Sequence, residues 1–404
     1  MLKILDVKEC CGCGSCSQGC PVKCISMEKD REGFLYPSIN VEKCIECGIC
    51  VRTCPMLTLQ KEKKEEIAYS AYAKDDDIRK NSSSGGIFTI LAVSVIKMGG
   101  VVFGARFDEN WNVVHDFTEE IDGLSGFRGS KYLQSEIGNN YKKAKDFLLQ
   151  GRKVLFSGTP CQIAGLHAYL RKRYENLITV DFVCHGVPSP GVWQKYLKSL
   201  QRTQCASGGK NSEFLFLKEL SLGGISFRNK RFGWKKYGIL LEKSSLQDDK
   251  NTDFSLYVKK EWFQPFQENR YMDVFLSNLS LRPSCYACRH KNFSSGSDIT
   301  LGDFWGIDKI DPAIDDDKGI SLLFIHNPAI LQILDGCNIF IKPQQFQDAV
   351  RFNLSIRDSV VEPPYRRFFF NKLNAFGDFD KAYVAVKSPA ILNKVRRRWW
   401  RLWQ

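Results

Sequence analysis

Apolar and polar positions along the chain recur at two periods, and the change from one to the other marks out its elements. "IAYSAYA" (Ile67 to Ala73) and "GGVVFGARF" (Gly99 to Phe107) are short, mostly apolar runs of the kind that form strands. Between them Phe88, Leu91, Ala92, Val95 and Ile96 recur at helical spacing behind "SSSGG" (Ser82 to Gly86), the turn that opens the helix. A second unit repeats this order. Val154, Leu155 and Phe156 form a short buried strand, a tight turn follows, and Ile163, Leu166 and Leu170 share one helical face. "LITVDFVC" (Leu177 to Cys184) reads as the next buried strand, and "HGVPSPGVWQKYLKSL" turns back into helix. Strand, turn, helix and strand in succession predict an α/β core with parallel strands, whose ligands bind beyond the strands' carboxyl ends. Cys161 and Cys184 fall at or just past two such ends. Loops and short strands follow Ser207, including "GGISFRNKRFGW" and "DITLGDFWGI", and the pattern after about residue 335 reads as helical.

The first sixty residues follow no such period, and cysteine spacing organises them instead. Cys10, Cys13, Cys16 and Cys20 stand at C-x2-C-x2-C-x3-C before Pro21, and Cys44, Cys47, Cys50 and Cys54 repeat the run before Pro55. This is the two-cluster bacterial ferredoxin pattern, in which the fourth cysteine of each run crosses to the other cluster. The spacing therefore assigns Cys10, Cys13, Cys16 and Cys54 to one [4Fe–4S] cluster, and Cys44, Cys47, Cys50 and Cys20 to the second. Cys11 and Cys24 lie outside the pattern and read as spectators. A disulfide scaffold would need an export signal, which the opening residues do not resemble, and zinc knuckles rarely repeat a third cysteine at the same interval.

The expected organisation is an α+β/α/β multidomain chain. A ferredoxin-like domain (1–60) precedes a mixed α/β core in two parts (67–150 and 151–335), followed by a helical extension (336–404). "KEKKEE" (Lys61 to Glu66) is the connector. Sixteen mostly clustered cysteines indicate a reducing cytoplasm. The net charge of +13 lies outside the first sixty residues, whose acidic and basic side chains balance. No dense basic stripe or recognised module points to nucleic acid. No apolar run reaches membrane-spanning length; the longest, Ile87 to Ile96, ends at Lys97.

Four further cysteines suggest chemistry in the core. Cys285 and Cys288 form a C-x2-C claw, and Cys161 and Cys184 complete a tetrad suited to a third [4Fe–4S] cluster; a structural zinc site or unliganded buried cysteines are the alternatives. Cys205 and Cys337 stand alone. Ser83, Ser84, Gly85 and Gly86 offer hydroxyls and close backbone approach to a phosphate at a helix start, although such turns also cap ordinary helices. Gly158, Thr159 and Gln162 of "FSGTPCQ" form a second such turn, and Lys131 of "GSKY" supplies a cation. Three phosphate elements near cluster ligands point to a dinucleotide flavin, and so to a flavin-binding core, with no G-x-G-x-x-G for an ordinary Rossmann site.

"SSSGGIF", "RGSKYLQS", "VLFSGTPCQIAGL", "VDFVCHGVPSP", "CYACRH" and "SDITLGDFWGI" resemble the beta-subunit family of coenzyme F(420)-reducing hydrogenases and dehydrogenases, over about residues 67–325. The resemblance implies FAD in the core, a nearby [4Fe–4S] cluster, and electron traffic between clusters and a flavin or deazaflavin. The family includes hydrogenase subunits, a chlorophyll-cycle reductase and proteins of surface-polysaccharide synthesis. The insert from Gly208 and the Trp/Arg tail depart from the hydrogenase members, which places deazaflavin use in doubt. The expected activity is an iron–sulfur flavoprotein oxidoreductase fed by a one-electron donor such as a ferredoxin. His185 and Asp303 are the candidate proton donors; otherwise His185 orients a loop and Asp303 caps a turn. The alternative is a non-catalytic electron-transfer subunit of a larger complex. "ILNKVRRRWWRLWQ", wound as a helix, sets Trp399 and Trp403 with aliphatic residues opposite Lys394, Arg397, Arg398 and Arg401. That arrangement suits either a membrane interface or a clamp on the protein itself.

Overall fold

The computed structural model describes residues 6–58, 67–202, 222–248 and 255–387. The "KEKKEE" connector, Cys205, the insert beginning at Gly208 and the Trp-rich tail lie outside the described residues.

The amino-terminal module turns on two glycines. Gly14 and Gly48 hold left-handed backbone (φ 74° and 70°), which costs a residue without Cβ little. Each precedes a short helix, Ser15–Gln18 and Ile49–Arg52, and the hairpin of β1 (Ile25–Lys29) and β2 (Leu35–Ile39) lies between them. This is the ferredoxin-like arrangement that the two cysteine runs call for.

The core follows as β3 (Ile67–Ala73), β4 (Val101–Phe107), β5 (Val113–Thr118), β6 (Val154–Gly158) and β7 (Leu177–Phe182). A three-stranded antiparallel sheet comes next, of β8 (Leu222–Asn229), β9 (Gly238–Asp248) and β10 (Ser255–Pro265). Then come β11 (Ile299–Asp303), β12 (Ser321–Ile325) and β13 (Ile339–Gln344). The large sheet has the order β13-β3-β12-β11-β7-β6-β4-β5. Its centre, β11, β7, β6 and β4, is parallel as the sequence predicts, whereas β5, β12 and β13 run the other way. The segment after residue 335 is therefore not wholly helical. β13 is an edge strand on β3, a place that tolerates Pro343, and helices Arg366–Phe376 and Phe379–Lys387 come after it.

Alternation along β6 decides the layers. Leu155 packs on one face with Ile87, Leu91 and Val95 of helix Ile87–Lys97. Val154 and Phe156 pack on the other with Tyr141, Ile163, Leu166 and Leu170. Each such buried side chain contributes about 1.5–3 kcal/mol, so helices on both faces are the stable solution for strands apolar on both sides. A third cluster joins Trp193, Phe227, Tyr271 and Phe369 and takes in Phe34, from the turn of the β1–β2 hairpin. Phe34 is fully buried and seats the module in the core. Among the described residues, no helix is long and apolar enough to cross a membrane.

Candidate functional site

The cysteines among the described residues are free thiols. Cys10, Cys13, Cys16 and Cys54 ring a cavity of about 510 Å³ together with Gly12 and Pro55. Cys20, Cys44, Cys47 and Cys50 ring a second, of about 360 Å³. In each ring the fourth thiol comes from the other half of the module, so neither cavity closes until both runs have folded. Cys161, Cys184, Cys285 and Cys288 line a third cavity, of about 710 Å³, at the carboxyl edge of the large sheet.

The two cysteines outside the spacing pattern are not remote from these rings. Cys24 lines the second cavity, and its amide donates to Cys20 Sγ at 3.4 Å. Cys11, with Met56, lines both the first and the third cavity and so forms the wall between them. Sequence spacing could not reveal this, because the second neighbour of Cys11 is Cys161, brought in by the fold.

These rings suit metal-bound thiolate. Burial pushes the Cys16 thiol up to about 12 and the Cys285 thiol up to about 12, and it raises Cys184 and Cys54 as well. A buried thiol ionises only beside a compensating cation, which iron supplies. Amide donors already face sulfur, from Gly12 to Cys10 (3.4 Å) and from Val187 to Cys285 (3.5 Å). Among the described residues, no three His, Cys, Asp or Glu side chains converge as ligands of a single ion would; the sulfurs stand around cavities instead.

Local structure places the core thiols. Cys161 sits in the first turn of helix Pro160–Leu170, whose cap Thr159 exchanges hydrogen bonds with Gln162 in a capping box. Gln162 also donates to Ser135 Oγ at 2.9 Å, so Thr159 and Gln162 are engaged in holding the Cys161 loop. Gly158 ends β6 immediately before it. Cys184 lies just past β7, and the Lys291 ammonium donates to its carbonyl at 2.6 Å. Cys285 lies in the tight turn Pro283–Ala287, which Cys288 closes. His185 lines the third cavity with a ring nitrogen 2.7 Å from Asn278 Oδ1, and burial pulls its pKa down. Asp181, which reads from sequence only as a strand residue, also lines this cavity. Burial raises its pKa, while the Ser295 and Thr300 hydroxyls each donate to it at 2.5 Å.

The "SSSGG" turn lies over the same edge. Ser84 Oγ donates to the Ile320 carbonyl, and the Gly85 amide donates to Ser321 Oγ. Ser83 Oγ accepts from the amide and the hydroxyl of Ser130 (2.7 and 2.9 Å). Gly85 is glycine for a packing reason: a Cβ would stand 2.4 Å from the Ala71 carbonyl and 2.8 Å from the Ser321 amide. Gly86, at φ 88°, caps the helix in left-handed backbone. Cations gather around this turn. Lys230 Nζ reaches the Ser84 carbonyl at 3.0 Å, and Lys131 Nζ donates to the Arg128 and Gly129 carbonyls. Burial pulls both lysines down to about 7. Arg228 is buried over Tyr237, with Nε and one Nη lacking any partner, and its other Nη meets Asp303 at 2.9 Å. Asp303 is thus an ion-pair partner at the end of β11. A half-buried Lys131 whose ammonium form is disfavoured and a buried arginine short of acceptors fit an anionic ligand such as a dinucleotide's phosphates. Arg228 and Lys230 escape sequence reading because "GGISFRNKRFGW" reads only as a loop or short strand in which no basic residue stands out.

Comparison with known proteins accords with this geometry. A 4Fe-4S dicluster domain model matches residues 9–58, and a second dicluster model matches 43–88. The N-terminal model of the coenzyme F420 hydrogenase/dehydrogenase beta subunit matches 68–139, and its C-terminal model matches 151–340. No curated protein matches the chain. A chain of the F420-reducing nickel–iron hydrogenase complex from Methanosarcina barkeri is similar at 16% identity and TM-score 0.42, covering 79% of this chain and 90% of its own. With the two beta-subunit models together spanning most of the core, the chain belongs to the coenzyme F420 hydrogenase/dehydrogenase beta-subunit family, with a 4Fe-4S dicluster domain at its amino end.

Proposed function

We propose that this chain is an iron–sulfur flavoprotein oxidoreductase. Its two amino-terminal rings hold [4Fe–4S] clusters, the core ring of Cys161, Cys184, Cys285 and Cys288 holds a third, and FAD lies along the carboxyl edge of the sheet. The observation that carries this reading is the series of thiol-lined cavities, the first and third sharing the Cys11–Met56 wall. When bound, the clusters move single electrons from a donor such as a ferredoxin, and the flavin combines them into the pair that an organic reduction needs. The protein's own residues do the rest. Ser83, Lys131 and Arg228 bind the flavin's phosphates, and Lys230 holds the turn by donating to the carbonyls of Arg79, Ser84 and Lys318. Asp303 orients Arg228. His185 and Asp181, which both line the third cavity, handle the protons of the reaction, the Asp181 carboxyl with its pKa raised by burial. The substrate is an organic molecule of surface-polysaccharide synthesis, a context the basic aromatic tail suits.

Anaerobic reconstitution tests this reading: about twelve irons per chain and one FAD are expected, each cubane contributing four irons. Cys285→Ser with Cys288→Ser removes about four irons and one spectroscopic component. Iron near eight with one zinc in the unaltered protein refutes the core cluster.

A second reading, a non-catalytic electron-transfer subunit, draws on the similar chain's place in a hydrogenase complex. Turnover by the isolated chain with an artificial donor separates the two.

A further inference from the structure

Four arginines are buried among the described residues: Arg79, Arg228, Arg282 and Arg366. Three pair with a carboxylate, namely Asp316 for Arg79, Asp303 for Arg228 and Glu32 for Arg366. Arg282, the most deeply buried at 0% exposure, pairs with none among the described residues. Its donors go elsewhere. Nε donates to the Cys10 carbonyl at 2.7 Å, one Nη to Gln134 Oε1 at 2.9 Å, and the other to the Leu35 carbonyl at 2.9 Å and toward Cys10 Sγ at 3.8 Å. The Tyr36 ring lies 4.2 Å beneath the guanidinium. Gly12 makes room for it, since a Cβ there would come within 2.6 Å of the guanidinium. On its other side Arg282 lines the third cavity with Cys161 and Cys285, and its carbonyl accepts the Cys285 amide.

A charge held this deep without an opposing charge is too costly to persist, so an anion must belong beside it. The groups that flank Arg282 are two sets of thiols, which become anionic when iron is bound. We propose that Arg282 is the shared counter-charge of the first ferredoxin cluster and the core cluster, and that it sets the potential at which an electron passes between them. It is a positioning residue, acting through Cys10 and the walls of both rings. Its positive charge favours the reduced, more negative state of whichever cluster holds the electron, and one electron is taken up with no proton exchanged. Arg282 is not among the residues that line the second ring, around Cys20, Cys44, Cys47 and Cys50, which therefore serves as the internal control.

This inference rests on the proposed cluster content, and one preparation tests both. The full chain is reconstituted anaerobically as wild type, Arg282→Gln and Arg282→Lys, its iron is counted, and each cluster is followed by electron paramagnetic resonance during a redox titration. In the Gln variant, at the potential that half-reduces the wild-type first cluster, its reduced-to-oxidised ratio falls at least tenfold, or about 59 mV for one electron. The second cluster keeps its midpoint, and Lys, which retains the charge, restores the ratio to within threefold. A Gln variant with full iron and both adjoining midpoints unchanged overturns the proposal. If the Gln variant does not fold, the Lys variant decides: a tenfold fall with charge retained overturns it, and a ratio within threefold supports it. Wild-type iron near eight would instead remove the core cluster from the proposed function, and the first cluster's response to Arg282→Gln would still be readable.

Discussion

Glu32→Ala should loosen the seat of the iron–sulfur module on the core. The Glu32 carboxylate takes two donors from Arg366, one of them at 2.9 Å, and the Glu32 carbonyl accepts the Ser189 hydroxyl. Their side chains are 7% exposed for Arg366 and 23% for Glu32, so water screens this pair far less than a surface one. Removing the carboxylate leaves Arg366 with the Leu281 carbonyl and the Tyr286 hydroxyl but no opposing charge. Breaking a buried pair from one side costs about 3–5 kcal/mol, and the partial exposure of Glu32 puts this case near 3. At 1.4 kcal/mol per tenfold, the docked population should fall about a hundredfold relative to the undocked one. Phe34 remains buried in the core cluster and keeps the module from dissociating outright. Hydrogen exchange reads the effect directly: amides of the β1–β2 hairpin should lose protection while those of β6 and β7 do not. Arg366→Met should be similarly damaging alone, and the double variant should cost less than the sum of the two. Unchanged hairpin protection in Glu32→Ala, or strict additivity in the double variant, would refute the argument.

Gly85→Ala should destabilise the core by about 2 kcal/mol, because its new methyl meets backbone atoms of β3 and β12 that cannot move aside; Gly126→Ala, with nothing closer than 3.7 Å, should be nearly neutral in the same denaturant titration. Lys131 is pushed down to about 7 by burial, so the unfolded chain binds a proton that the folded chain gives up. Stability of flavin-free protein should therefore rise as pH climbs from about 7 toward the free lysine value near 10.4, and Lys131→Met should flatten that rise. Bound flavin phosphates should flatten it too, by keeping the ammonium charged; equal slopes for all three samples would count against Lys131 as a phosphate ligand. For the Trp-rich tail, sedimentation with anionic and neutral vesicles at low salt should carry down the full chain and leave a chain ending at Ser388 in the supernatant, and equal recovery of both would exclude membrane binding.

Local spacing determined a good deal of this protein without help. The two runs of cysteines and their prolines assigned both amino-terminal rings, because ligands three residues apart must wrap one small object whatever the rest of the chain does. The apolar runs at Val154 and Leu177 and the stripe of Ile163, Leu166 and Leu170 defined parallel strands and a covering helix, since such runs have few ways to leave water. Tertiary structure decided what has no local signature. β13 belongs to the sheet because β3 offers it an edge, not because its sequence reads as a strand. Gly85, which suggests a phosphate turn, is glycine because two strands leave no space for a Cβ. Asp303 finds its partner in Arg228, 75 residues earlier, within a segment whose pattern says only loop or short strand. Cys11, an outsider by spacing, becomes the wall between two rings once the module docks. Spacing along a chain reports on neighbours within a turn or two. Burial and opposing charge depend on residues that only the completed fold brings together.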